Sequence, residues 1–163
     1  MKQLKIMLVL LILLSPVQAQ QTPKSERLYD PATLVGTLQL IANARRSIWL
    51  IAPKLGNLEV VRALASKAKT GIPVRLVLTN ARGIDQNALA LSSRTNVDAR
   101  WSPQQLGASA LVVDDLHLVL SSVLSGVAQP SNVPSMEIRN RPEVAGSMRQ
   151  RISLIFEHSR RIQ

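Results

Sequence analysis

Side chains able to attack, protonate or coordinate are few in this chain. It has two histidines, His117 and His158, and no cysteine. Thiol catalysis and cysteine-ligated metal sites are therefore excluded. Imidazole titrates near neutrality and can serve as nucleophile, acid or base. His117 closely follows Asp114-Asp115, and the three could form a small acid–base or metal cluster. Their spacing matches no ligand pattern, and aspartates in tight turns commonly hold the local backbone. A surface histidine on a hairpin is the plainer reading. His158 falls in the last turn of a C-terminal helix, near Arg160 and Arg161, where a cation suits the helix dipole. Ser109 and Ser122 would need a base in reach to become nucleophiles, and the sequence places none beside them. Gly71 and Gly83 are isolated, so no glycine loop cradles a phosphate. The loop Asn80-Ala-Arg82-Gly offers Arg82 to an anion, although an ordinary surface turn accounts for it equally simply.

The elements that must position these residues centre on 47–80. Ser-Ile-Trp-Leu-Ile-Ala-Pro and Pro-Val-Arg-Leu-Val-Leu-Thr-Asn are short, apolar runs bounded by Pro or Gly, the pattern of strands buried on both faces. Between them Leu58, Val61, Leu64, Ala65 and Ala68 recur at helical spacing, with Asn57 as cap and Gly71 as stop. Two such strands joined by a helix make a parallel crossover. Upstream, Asp30-Pro31 opens a helix with Leu34, Leu38, Ile41 and Ala42 as its inner stripe and Arg45-Arg46 in its last turn. Downstream the pattern predicts a short helix over 84–91, a strand over 97–101, and a hairpin of strands 110–113 and 116–120 turning at Asp114-Asp115. A Ser/Pro/Gly-rich loop covers 125–135. A last strand over 136–139 leads to a helix capped by Asn140, with Val144, Met148, Ile152 and Ile155 inward and a basic opposite side. The order predicts an α/β fold, with a mixed, largely parallel sheet and helices on both faces.

The first residues stand apart from that domain. Lys2 and Lys5 precede the apolar run 6–14, and Val17-Gln18-Ala19 fits a small-x-small cleavage site. This is the layout of a secretory signal peptide over 1–19. The run is too short to span a bilayer, which takes roughly 20 apolar residues. A polar lead-in over 20–29 and a domain over 30–163 follow, with a periplasmic or extracellular location expected. The formal charge is +10, and removing Lys2 and Lys5 leaves +8. A surface so basic favours polyanions: nucleic acid, anionic lipid headgroups or acidic glycans. With four aromatic residues in all, a base-stacking platform for single strands is disfavoured.

Ile41-Ala-Asn-Ala-Arg-Arg-Ser-Ile-Trp-Leu, the run from Leu64 through Gly71 to Leu78, and Asn140-Arg-Pro-Glu-Val-Ala together resemble the phospholipase D-like superfamily, in particular its single-motif Nuc-type bacterial members. The resemblance covers 34–162 and implies an α-β-α sandwich. It also implies metal-independent phosphodiester cleavage by paired His-x-Lys-x4-Asp motifs, with no cofactor. One His would attack phosphorus, its counterpart would protonate the leaving oxygen, and Lys would hold the phosphate oxygens. With the motif Asp placed on Asp114, the Lys position falls on Ser109 and the His position on Gly107. The later Gly-Ser falls on Ser121-Ser122, the Asn on Leu124, and the Asn-x-Glu near Val133 and Pro134. Only Asp114 and Ser122 match.

The sequence thus predicts a phospholipase D-like domain without its nucleophile and phosphate clamp: an exported pseudoenzyme that binds or scaffolds through a basic surface. The alternative is an active phosphodiesterase, nuclease or phospholipase, using relocated residues such as His117. The oligomeric state stays open: single-motif members pair to complete a site, and without a working site only an inherited interface would make a homodimer.

Overall fold

The computed structural model of the chain describes residues 31–79, 85–104, 108–126 and 135–162. The leader, the lead-in with Asp30, Arg82 with its loop, Gly107, and Val133-Pro134 lie outside the described residues. Four α-helices and seven strands follow in the order α1 (Pro31–Asn43), β1 (Ile48–Ala52), α2 (Leu58–Lys69), β2 (Val74–Leu78), α3 (Gln86–Ser92), β3 (Val97–Trp101), β4 (Ala110–Val113), β5 (His117–Leu120), β6 (Met136–Ile138), α4 (Pro142–Glu157) and β7 (Arg160–Arg161). A short 3-10 helix, Ser122–Leu124, follows β5.

All strands join one mixed sheet ordered β6-β5-β4-β1-β2-β3-β7. Its centre, β1-β2-β3, is parallel. The β4–β5 hairpin docks antiparallel on β1, with β6 antiparallel beyond it, and β7 closes the other side antiparallel to β3. Side-chain alternation along the strands divides the core in two. Ile48, Leu50, Val74, Leu76, Leu111 and Val113 face α1, α2 and α3, whereas Trp49, Ile51, Val77, Val112 and Leu118 face α4. β1 is buried at all five positions, as its unbroken apolar run requires of a strand covered on both sides.

Several local expectations shift by about one turn. α1 ends at Asn43, so Arg45 and Arg46 lie beyond it, and Leu40 and Ala44 are buried in place of the exposed Ala42. In α2 the buried line is Val60, Leu64 and Ala68, spaced by four, while Leu58 is half exposed. Asn57 does cap α2, its side chain accepting from the N–H groups of Glu59 and Val60. α3 starts at Gln86, not at 84, because Asp85 caps it. Asn140 is not the cap of α4. It has φ of 54°, Arg141 holds the cap position without a side-chain bond, and Pro142 opens the helix. Inside α4, Ala145, Ile152 and Phe156 are buried, with Val144, Met148 and Ile155 packed beside them. Arg160 and Arg161 belong to β7 and not to the helix.

α4 is fastened at its carboxyl end by β3. Arg100 forms an ion pair with Asp98 at 3.1 Å, donates to the Phe156 carbonyl at 3.1 Å, and lies 3.9 Å over the Phe156 ring. Phe156 meets Trp49 edge to face at 5.6 Å.

The loop after β1 and the turn after the 3-10 helix touch backbone to backbone. Gly56 N–H donates to Ser125 O at 2.8 Å, and Gly126 has φ of 61°. A Cβ on Gly126 would lie 2.7 Å from the Gly56 carbonyl carbon, and one on Gly56 would meet Ser125 O. By contrast Gly71, at φ of 90°, has open space around it. Gly126→Ala adds a clash to the cost of a left-handed backbone, itself about 1–2 kcal/mol. Urea unfolding should therefore show a larger stability loss for Gly126→Ala than for Gly71→Ala. Equal losses would mean that the close approach carries no energetic weight.

Candidate functional site

The two ends of the central strands differ in chemistry. At the carboxyl end of β1–β3, where open α/β sheets usually bind ligands, small polar side chains are buried: Thr79, Ser102, Ser109, Ser121, Ser122 and Ser125, all below 5% exposure. Register explains the gathering. β4 runs antiparallel to β1, so Ser109, just before Ala110, comes to the end where Ile51 pairs with Ala110. Ser121 follows β5 at the same end and donates its N–H to Ser109 O at 3.2 Å. The Ser121 hydroxyl caps the 3-10 helix through Val123 N–H and meets Ser135 Oγ at 2.8 Å. Ser125 Oγ donates to Ser122 O at 3.0 Å. These hydroxyls thus hold local backbone.

Two further side chains, which the sequence reading passed over, brace this end. Asp85 caps α3 through Asn87 and Ala88 N–H, both at 3.0 Å, and its second oxygen accepts from Leu55 N–H at 2.6 Å. Asn87 donates to Leu55 O. The capping half of this pattern is legible as Asp followed by a helical run, whereas the grip on a loop thirty residues away is not.

Asp114 is at the opposite end. It and Asp115 both have φ of 58°, and Leu116 N–H donates to Val113 O at 3.0 Å. Positive φ at both central positions matches the right-handed twist of a hairpin, and Asp tolerates it. The Asp114 carboxylate then reaches across to the α1–β1 junction. It accepts from the backbone N–H groups of Arg45 at 2.9 Å, Arg46 at 2.7 Å and Ser47 at 3.0 Å. Its own N–H donates to Ser47 O at 2.9 Å. Burial alone would raise its pKa, but the three donors, together with the field of His117, outweigh that and hold the carboxyl below its ordinary value.

The structure places the aligned Lys and Asp motif positions at opposite ends of β4, as the Lys-x4-Asp spacing itself implies. Ser109 precedes β4 and Asp114 follows it, so the strand keeps them roughly 17 Å apart along the chain at about 3.4 Å per residue. His117 pairs with Val113 at the Asp114 end, so it too is a strand length from Ser109 and Ser122. Its Nδ1 faces the Asn140 N–H at 3.4 Å. His158 is at the carboxyl end of α4, where Nδ1 donates to Leu154 O at 2.8 Å. It lines a cleft of about 300 Å3 with Ser102, Pro103, Gln104, Leu154 and Ile155. Among the described residues no group of three His, Cys, Asp or Glu side chains could hold a metal ion.

Asp114→Asn keeps tolerance of positive φ but removes the charge and one acceptor, so it isolates the carboxylate. Hydrogen bonds to a charged group contribute roughly 1.5–3 kcal/mol, and the variant should lose about that much stability at pH 7. Because the folded-state pKa is depressed, the stabilisation is fully present above the unfolded value of about 3.9 and is lost as pH falls through the folded value. Denaturation curves of the two proteins should converge on acidification; a pH-independent gap would mean that the charge is not the cause.

The sequence matches no protein-family model and no curated protein. Solved structures do resemble it. NucT from Helicobacter pylori superposes with a TM-score of 0.69 at 16% identity, over 82% of this chain and 96% of its own. Nuc from Salmonella typhimurium, a phospholipase D family member, gives 0.67 at 18% identity, over 83% and 95%. TrmBL2, an archaeal chromatin protein described as showing a novel mode of DNA binding, gives 0.62 at 11% identity, over 80% of this chain and half of its own. With a seven-stranded mixed sheet and helices on both faces, the chain has the phospholipase D-like fold of the Nuc type.

Proposed function

We propose that this protein is an exported phospholipase D-like module that binds an anionic partner and does not hydrolyse it. The observation that carries the reading is the state of the carboxyl edge. The positions that the family resemblance assigns to Lys and to the later Ser are Ser109 and Ser122, 3% and 4% exposed. Gly107, at the His position, has no side chain. The histidines that could substitute are at the far end of the hairpin and at the end of α4. At the family's motif positions a phosphodiester would find no imidazole at Gly107 and no ammonium at Ser109, the nucleophile and the charge clamp that in-line displacement at phosphorus needs.

Charge supports the binding half. The chain carries twenty Lys and Arg against ten Asp and Glu. Among the described residues no helix is long and apolar enough to cross a membrane. The positive n-region, the apolar run and the small-x-small site at Ala19 support export. An archaeal chromatin protein described as showing a novel mode of DNA binding shares the fold over half of its own length, which is consistent with a nucleic-acid partner.

The purified protein is expected to release no p-nitrophenol from bis(p-nitrophenyl) phosphate above a buffer blank, with His117→Ala indistinguishable from the parent. Turnover that His117→Ala abolishes would replace this reading with a relocated phosphodiesterase. Expressed with its leader, the protein should be recovered from the periplasm with Gln20 as its first residue. A cytoplasmic chain of full length would remove export from the proposal.

A further inference from the structure

The amino edge of the sheet gathers cations. Arg45 and Arg46 stand before β1, Lys67 and Lys69 at the end of α2 before β2, and Arg94 before β3. Backbone hydrogen bonds tie these junctions into one continuous rim: Asp114 N–H to Ser47 O, Ile48 N–H to Pro73 O, and Val74 N–H to Asn96 O. Arg45, Arg46, Lys69 and Arg94 are exposed, while Lys67 is half-buried and donates to Ala42 O at 2.9 Å. The acids nearest the rim are already engaged. Asp114 holds backbone N–H groups, Asp115 pairs with Arg149 at 3.1 Å, and Asp98 pairs with Arg100 and Arg161.

Helix dipoles do not account for five cations. α1 and α2 end at this rim, as does the shorter α3, each with a partial charge of at most about −0.5. Together they offset roughly 1.5 of five positive charges and the Asp114 carboxylate one more, leaving about +2.5 along the rim.

We propose that this amino-edge rim is a docking surface for the phosphate backbone of a nucleic-acid duplex, separate from the carboxyl edge. The inference rests on the anion-binding function proposed above. Three neighbouring strands span about 10 Å at roughly 4.8 Å spacing. A duplex carries one charge per about 1.7 Å of axis, or about six over that length, comparable to the five cations. A single strand is disfavoured at this rim because Trp49 and Phe156 are buried in the core and the half-buried Trp101 stands at the opposite, carboxyl end of β3. A membrane is disfavoured because the large apolar side chains that could insert are mostly elsewhere. Leu58, Met136 and Leu154, each about half exposed, belong to the carboxyl edge, Val35 lies in the first half of α1, and among the described residues only Leu116 of the exposed large apolar side chains is at the rim.

The test is fluorescence anisotropy with a labelled 30-base-pair duplex of mixed sequence, titrated with the purified protein between 50 and 200 mM NaCl. Five phosphate contacts predict an affinity loss of about 500-fold over that range, and three contacts about 40-fold. Arg45→Gln/Arg46→Gln and, independently, Lys69→Gln/Arg94→Gln should each reduce the loss to the smaller figure. Arg151→Gln, on α4, should leave it unchanged. The Arg45 and Arg46 side chains are exposed and only their backbone serves Asp114, so the first pair should fold; the second shares no contact with it. Parent-like salt dependence in both double variants, with flattening in Arg160→Gln at the carboxyl edge, would overturn the surface assignment while leaving anion binding intact. Binding to phosphatidylglycerol vesicles without binding to duplex would overturn the choice of partner. Binding to neither would overturn both this inference and the function on which it rests.

Discussion

A single carboxylate closes the sheet around its centre. Asp114 sits in a hairpin turn, yet its oxygens satisfy three consecutive backbone N–H groups at the junction where α1 gives way to β1. Those groups lie where a helix has ended and a strand has not begun, so neither element supplies their acceptors. A charged acceptor in a partly dry site is a stronger partner than a neutral one. The same contact sets the register of β4 on β1, since Asp114 N–H also donates to Ser47 O. A slip of one residue would turn Leu111 and Val113 away from the α1–α2 core and Val112 away from α4. The hairpin, both cores and the seating of α4 therefore depend on this contact.

Fixing Asp114 there also sets what the molecule can do chemically. A carboxylate that accepts three backbone bonds is not free to orient an imidazole or a lysine. The strand that leads to it begins after Ser109, at the other end of the sheet, where the Ser121 and Ser125 hydroxyls are bound to local backbone. The carboxyl edge keeps the architecture of a ligand-binding margin and has filled it with serines. Among the described residues, Arg45, Arg46, Lys69 and Arg94 are exposed along the amino edge.

Much of this was legible in the sequence, where the physics is local. The unbroken apolar runs of β1 and β2, the Asn57 cap, the tight turn at Asp114-Asp115 and the inner face of α4 follow from periodicity and capping chemistry. The misreadings share a cause. In α2 the expected Leu64 and Ala68 are buried and Val61 and Ala65 pack beside the core, whereas Leu58 fits the same helical spacing and is half exposed, and Val60, outside the expected stripe, is buried. Asn140 looks like a cap, but its backbone is left-handed, and Pro142 starts α4 without help. Arg45 and Arg46 read as helix-end cations because nothing nearby shows that α1 stops early. The bond from Asp114 to residues 67–69 positions away, and that of Asp85 to Leu55, are tertiary facts that no window of sequence contains. β7, two arginines long, carries no strand signal and exists because the end of α4 delivers it to the β3 edge.

Chain connectivity gives the docked hairpin a temporal meaning as well. β1, β2 and β3 are joined by short helical crossovers and can assemble as soon as residue 101 is available. The strand that covers the outer edge of β1 begins nine residues later, and its pairing partners lie about sixty positions apart in the chain. During synthesis from the amino terminus, β1 therefore exposes a bare, wholly apolar edge until β4 arrives, the kind of margin that recruits strands from other chains. That margin stays open until residues 110–113 are available to pair with it.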